Sequence, residues 1–215
     1  MAENPFDERI TPLKELDAPD RAPLVQFSHM GINVRDYERM LDFYTRVIGF
    51  KVSDSGSKDG PLGLDIAFMS LDPFEHHQFV IGTTEGLSAA GQGFFSGPIN
   101  QLSFRLESLE DLRIMHNRLL KEVSHENFSV GTHGLAWSVY ARDPEGNTLE
   151  FFVDTPWYID QPFWKAIDLS KSDEEVFADT EEIARNSPGF RDYTEWRDEF
   201  AKTLNRPIVS KPFHD

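Results

Sequence analysis

The feature that most constrains this chain is an internal repeat. Ser28-His29-Met30-Gly31-Ile32-Asn33-Val34 and Asn100-Gln101-Leu102-Ser103-Phe104-Arg105-Leu106 align at an offset of 72 residues. Apolar side chains alternate in both, as in a strand with one buried face. A helix cap follows at the same place in each, Asp36 and Ser108, the second in Ser-x-x-acid form. Amphipathic helices come next. The first uses Tyr37, Met40, Leu41, Tyr44 and Ile48 and stops at Gly49; the second uses Leu109, Leu112, Met115, Leu119 and Val123. Each half returns through short strands, near 65–69 and 78–81 in the first and 137–141 and 149–153 in the second. The expected fold is α+β, with two βαβββ modules facing each other around a cup.

The repeat leaves the ends of the 215-residue chain outside it. Residues 1–24 are polar and proline-dotted and read as an N-terminal arm. The paired domain covers 25–155, with its modules at about 25–82 and 98–155. Residues 156–215 are acidic and rich in aromatics, too aromatic for disorder and too short for a domain of their own, so a helical extension is expected.

Composition narrows the chemistry. There is no cysteine, which removes disulfides, thiolate metal sites and cysteine nucleophiles. With 21 basic and 37 acidic residues the formal charge is −16, a field that repels nucleic acid and anionic membranes. The start, MAENPFDERI, has neither a basic nor an apolar signal region, so a cytoplasmic protein is the expectation.

Strand alternation then picks out polar side chains. Met30, Ile32 and Val34 cover the first helix, so His29 points to the other face. Leu102, Phe104 and Leu106 do the same in the second half, turning Gln101 away. In the closing strand Leu149, Phe151 and Val153 are the apolar set and Glu150 is opposite. If the sheets face each other, His29, Gln101 and Glu150 converge. A carboxylate and an imidazole in such a cup are costly unless paired or bound to a cation, so a divalent metal is the economical expectation. Gln78 stands at the repeat position of Glu150, so a four-ligand set of His29, Gln78, Gln101 and Glu150 is an alternative.

HMGINVRDYERMLDFYTRVIGF and SVYARDPEGNTLEFF, the opening strand–helix and the closing hairpin, resemble the vicinal oxygen chelate superfamily: glyoxalase I, fosfomycin and bleomycin resistance proteins, and extradiol dioxygenases. The likeness covers roughly residues 25–155 and is strongest to small type I extradiol ring-cleaving dioxygenases. Those enzymes hold Fe(II) with two His and one carboxylate. By that resemblance His29 and Glu150 are metal ligands and Gln101 stands where the second His belongs. The resemblance also implies a catalytic acid–base role for His77, within Glu75-His76-His77-Gln78, and roles for Tyr140 and His133 in steering a phenolate. Alternation from Phe79 instead puts His77 on the helix face and His76 in the cup; a bulge would reconcile the two.

The implied function is a metal-dependent extradiol-type dioxygenase acting on a catecholic aromatic substrate with O2. Fe(II) is the first cofactor expected, with Mn, Zn or Ni as alternatives. Two other functions remain in view: a glyoxalase-like isomerase or lyase, and a non-catalytic small-molecule binder. Pairing within the superfamily and the aromatic tail imply a homodimer. Trp157 to Phe163 either roof the cup or anchor the tail. His116, His125 and His214 read as surface residues, and Asp143 and Gly146 as turn chemistry.

Overall fold

The computed structural model describes residues 27–59, 63–72, 75–83, 99–123 and 128–203. The expected N-terminal arm, His125 and His214 lie outside the described residues. The chain divides into two compact units, Met1–Ser88 and Ala89–Asp215. Each carries the βαβββ plan, which makes the protein the α+β fold that the repeat predicts.

In the first unit β1 (Met30–Val34) leads through the Asp36 cap, whose carboxylate accepts from the Arg39 amide at 3.2 Å, into α1 (Tyr37–Asp42). The helix then widens into a π-helical turn over Phe43–Ile48 and ends at Gly49, whose φ of 107° needs no Cβ. Widening brings Phe43, Tyr44, Val47 and Ile48 all onto the buried side, where helical periodicity alone predicts only Tyr44 and Ile48. Tyr44 packs on Phe79 at 4.6 Å between ring centres. Strands β2 (Lys51–Gly56), β3 (Ile66–Ser70) and β4 (Phe79–Thr83) complete a sheet of order β1-β4-β3-β2. The β2 strand was not legible in the sequence, because all its residues are exposed and nothing alternates.

The second unit repeats this with β5 (Leu102–Arg105), α2 (Leu109–Leu119), β6 (Ser129–Thr132), β7 (Ala136–Arg142) and β8 (Thr148–Asp154). Ser108 caps α2 by accepting from the Asp111 amide at 3.1 Å. Leu112, Leu119, Val139, Ala141, Leu149 and Phe151 are fully buried beneath the helix. Asp143 and Gly146 make the β7–β8 turn: the Asp143 carboxylate accepts from the Glu145 and Asn147 amides, each at 2.9 Å, and Gly146 takes a φ of 91°.

The two units differ in register. Met30 pairs with Phe79, whereas Leu102 pairs with Leu149. The opening strands keep the 72-residue offset, but the closing strands are 149 − 79 = 70 residues apart. A slip of two residues preserves the face of every side chain. The structural counterpart of Glu150 is therefore Val80, not Gln78 as the sequence offset suggests.

The extension joins the second unit in two ways. Its helix α3 (Asp173–Arg185), opened by a Ser172/Glu175 capping box, packs on the helix-covered side of the sheet. There Trp137 Nε1 donates to Thr180 Oγ1 at 2.8 Å, and Phe177 packs on Trp137 and Trp157. Arg113 of α2 holds the approach to α3 through the carbonyls of Leu169 and Lys171 and an ion pair with Asp173. The short strand β10 (Lys165–Ala166) adds to the edge of β6, giving the order β10-β6-β7-β8-β5. A second small ladder pairs β9 (Trp157–Tyr158) with β11 (Arg191–Asp192), which leads into α4 (Tyr193–Thr203). Tyr158, Trp196 and Phe200 stack in series, at 5.0 and 5.1 Å. Trp157 is buried, so the first part of the segment anchors the tail. His116 is half-buried rather than a plain surface residue, because its ring packs on Phe128 at 5.4 Å. Among the described residues no helix is long and apolar enough to cross a membrane.

Candidate active site

On the face of the second sheet away from α2, one residue organises all its neighbours. Glu150 lies in the middle of β8, opposite Tyr140, and is 7% exposed. Its Oε1 accepts from Ser138 Oγ at 2.9 Å and from the Tyr140 hydroxyl at 2.7 Å. Its Oε2 accepts from Ser103 Oγ at 2.7 Å and from Gln101 Nε2 at 2.6 Å. The strands account for this convergence. Ser138 and Tyr140 are two apart on β7, Ser103 faces Glu150 across the parallel β5–β8 pair, and Gln101 precedes β5 on the same parity. Four donors fill the carboxylate's acceptor sites, which is how a buried anion avoids the full desolvation cost.

The network continues through Tyr140. His133 Nε2 lies 2.9 Å from the Tyr140 hydroxyl, and His133 Nδ1 lies 2.8 Å from the Phe163 carbonyl. A carbonyl only accepts, so Nδ1 carries a proton and Nε2 faces the phenol. The Tyr140 proton then has two acceptors, His133 Nε2 and Glu150 Oε1. Burial above all, then the hydrogen bond to Glu150 and its charge, raise the Tyr140 pKa well beyond the ordinary phenol value. Tyr140 is thus a neutral donor at any physiological pH, wired between a carboxylate and an imidazole.

In the first unit the histidines gather separately. The His29 and His77 rings are 4.2 Å apart, and His77 also meets Phe68 at 5.2 Å. Phe68 lies on the sheet face opposite the buried Ala67 and Met69, so His77 is on the His29 side. Alternation from Phe79 fails here because β4 begins at Phe79, Gln78 is the last residue before it that bonds to β1 and β3, and residues 75–77 lie outside the ladder. His76 Nδ1 lies 2.9 Å from His77 Nδ1, so one of the two nitrogens must carry the proton. Partial burial first, then the nearby His29 and His76, hold His77 below the ordinary imidazole range, with Glu75 opposing. Gln78 is committed elsewhere, its Oε1 accepting from the Leu71 amide at 2.9 Å.

The residues singled out by the sequence thus fall into two separate sets: Gln101, His133, Tyr140 and Glu150 in the second unit, His29 and His77 in the first. Ser103 and Ser138 were missed in the sequence, although strand parity points to both. Phe163 was missed as a hydrogen-bond partner because its contact depends on the pairing of β10 with β6.

The residues matched by the Glyoxalase/Bleomycin resistance protein/Dioxygenase superfamily are 26–151, well over half of the chain. The chain belongs to this superfamily. Among curated proteins, biphenyl-2,3-diol 1,2-dioxygenase 2 of Rhodococcus globerulus is 22% identical over 129 residues, covering 60% of this chain and 63% of that protein. Catechol-2,3-dioxygenase of Bacillus subtilis (strain 168) is 25% identical over 135 residues, covering 60% and 42%. The chain therefore spans less than two thirds of the length of these relatives. A solved glyoxylase/bleomycin resistance protein/dioxygenase domain from Frankia sp. EAN1pec shares the fold, with a TM-score of 0.51 and 24% identity over 62% of this chain and all of that one.

The donor chemistry suits a divalent cation. The four hydrogen-bond donors to Glu150 are all neutral, and the nearby His133 Nε2, 3.7 Å away, faces the phenol as an acceptor, so the carboxylate keeps its negative charge uncompensated. Gln101 turns its Nε2 to that carboxylate, leaving its carbonyl oxygen as the hard donor of the amide. Among the described residues no group of three His, Cys, Asp or Glu is arranged to hold a metal by itself.

Proposed function

We propose that this protein is a metal-dependent extradiol-type dioxygenase that opens a catecholic ring with O2. His29, Gln101 and Glu150 are the residues that would hold the metal, with Fe(II) as the ion. The metal would supply a positive charge to lower the acidity barrier of a vicinal diol and a place to bring O2 beside it. The chain's own residues do the rest. Tyr140, its hydroxyl held in place by Glu150 and His133, would take a proton from a substrate hydroxyl on its oxygen as its own proton passes to His133 Nε2, so the phenol stays neutral and the imidazole returns the proton by the same path. His77, held neutral by partial burial and two imidazole neighbours, is fit to take a proton near His29.

One observation carries this reading: the Glu150–Tyr140–His133 chain, at 2.7 and 2.9 Å, joins a candidate metal ligand to a proton-accepting imidazole through a phenol. The names of the two curated relatives support the same chemistry. The test is anaerobic loading with Fe(II) followed by oxygen uptake on a panel of catechols. Uptake of one O2 per ring opened is expected; tight Fe(II) binding with no uptake on any catechol would refute it. Gln101→His should raise Fe(II) affinity about tenfold, a strong imidazole nitrogen replacing a weak amide oxygen. Unchanged affinity would remove position 101 from the ligand set.

One observation favours a second reading. An amide in place of the second imidazole suits a redox-silent ion such as Zn or Ni, as a glyoxalase-like isomerase or lyase would use. Copurification with such an ion, and proton exchange next to a carbonyl without oxygen uptake, would decide for it.

A further inference from the structure

Beyond the matched superfamily residues, the segment from Ile159 to Ala166 folds against the hairpin that carries His133. Gly134, at the tip, has a φ of 79°, and an added Cβ would lie 2.2 Å from the Ile159 side chain. Gln161 Nε2 donates to the His133 carbonyl at 2.8 Å. The Phe163 carbonyl accepts from His133 Nδ1. Lys165 and Ala166 then pair with Thr132 and Gly131.

Trp164 sits between these anchors. Its indole lies 5.0 Å from the His133 ring and 5.5 Å from the Tyr140 ring. It occupies the space above Gly131, where an added Cβ would come within 2.5 Å of Trp164 Cζ2 and 2.6 Å of the Lys165 carbonyl. The indole is therefore fixed from below by a residue with no side chain and from one flank by two proposed catalytic rings. Yet it is 42% exposed. A fixed indole with an open face is a good stacking surface, because a flat π-system can cover it without losing side-chain freedom.

We propose that Trp164 is the substrate-contacting wall of the site, giving it a preference for planar aromatic ligands over aliphatic chelators. This inference rests on the oxygenase reading for the position of the substrate, but it concerns binding and not turnover. The Phe163 carbonyl is the positioning group of the same segment, keeping His133 Nε2 turned to the phenol.

The test is equilibrium binding to the metal-loaded protein without oxygen, using 4-nitrocatechol as the aromatic probe and oxalate as a ring-free chelator. Trp164→Ala should weaken 4-nitrocatechol binding about tenfold and leave oxalate unchanged, while Trp164→Phe, which keeps a π-face, should stay within about threefold of the parent. Unchanged 4-nitrocatechol affinity in Trp164→Ala overturns the inference. So does an equal loss of oxalate binding, which would make Trp164 structural, or a parent protein that binds no 4-nitrocatechol. Full stacking behaviour with no oxygen uptake on any catechol would leave the wall in place and overturn only ring cleavage.

Discussion

Position for position, the open faces of the two sheets are chemical opposites. Ile66, Phe68 and Val80 in the first unit stand where Ser138, Tyr140 and Glu150 stand in the second. Gly31 faces Val80 as Ser103 faces Glu150. The helix-covered sides, by contrast, are alike: Met69 and Ile81 in one and Ala141 and Phe151 in the other are all fully buried. Stability in each unit therefore comes from the side that faces the helix. That leaves the open side free to carry an apolar sheet face bordered by His29 and His77 in one unit and a hydrogen-bonded acid in the other.

The harshest way to break this contrast is to make the second face resemble the first. Glu150→Leu leaves Gln101, Ser103, Ser138 and Tyr140 without their common acceptor. We expect a loss of about 3 kcal/mol in urea unfolding and no measurable oxygen uptake. Val80→Ala, at the equivalent place, should cost only about 1 kcal/mol, as a modest loss of packing. Equal losses at the two positions would show that the network around Glu150 does not carry the difference.

A milder change tests the phenol alone. Tyr140→Phe keeps the ring against Trp164 and removes the proton between Glu150 and His133. Oxygen uptake should fall about 100-fold in kcat with the fold intact by circular dichroism. A kcat within a few-fold of the parent would take Tyr140 out of proton transfer.

The smallest expected effect belongs to the first unit. His77 has a folded-state pKa below the ordinary imidazole value of 6.5. The unfolded chain therefore takes up a proton that the folded chain resists. Stability is complete above about pH 6.5 and falls as the pH drops through the window below it. In metal-free protein His77→Gln should flatten this acid-side fall in urea midpoints, and His29→Gln should move the His77 midpoint upward in an NMR titration. A His77 midpoint at or above 6.5 would contradict the packing described here.

Much of this was written in alternation and caps. The repeat shows in the sequence pattern itself, while the opening strands, Asp36, Ser108 and the Asp143 turn follow from local chemistry, each a short-range event. Gln101 and Glu150 were legible because parity puts them opposite a strongly apolar set. Three things were not. The two-residue slip between β1–β4 and β5–β8 is invisible because an even slip changes no side chain's face. The π-helical turn hides because its extra buried residues, Phe43 and Val47, break a period of 3.6. Trp164 was overlooked because its place depends on β10 finding the edge of β6, a pairing of only two residues with no pattern of its own.

The shell around Glu150 has one more consequence. With amide, hydroxyl and phenol partners already in place, the acid is at home in the interior before any ion arrives. Loading, on the proposed reading, would then be an exchange of partners and not the last step of folding, unlike a zinc finger, which collapses when its metal is withdrawn. A chelator should lower the thermal midpoint by no more than the binding free energy of the ion and leave a folded apoprotein, and the speed of uptake should be set by how quickly a serine or the glutamine lets go.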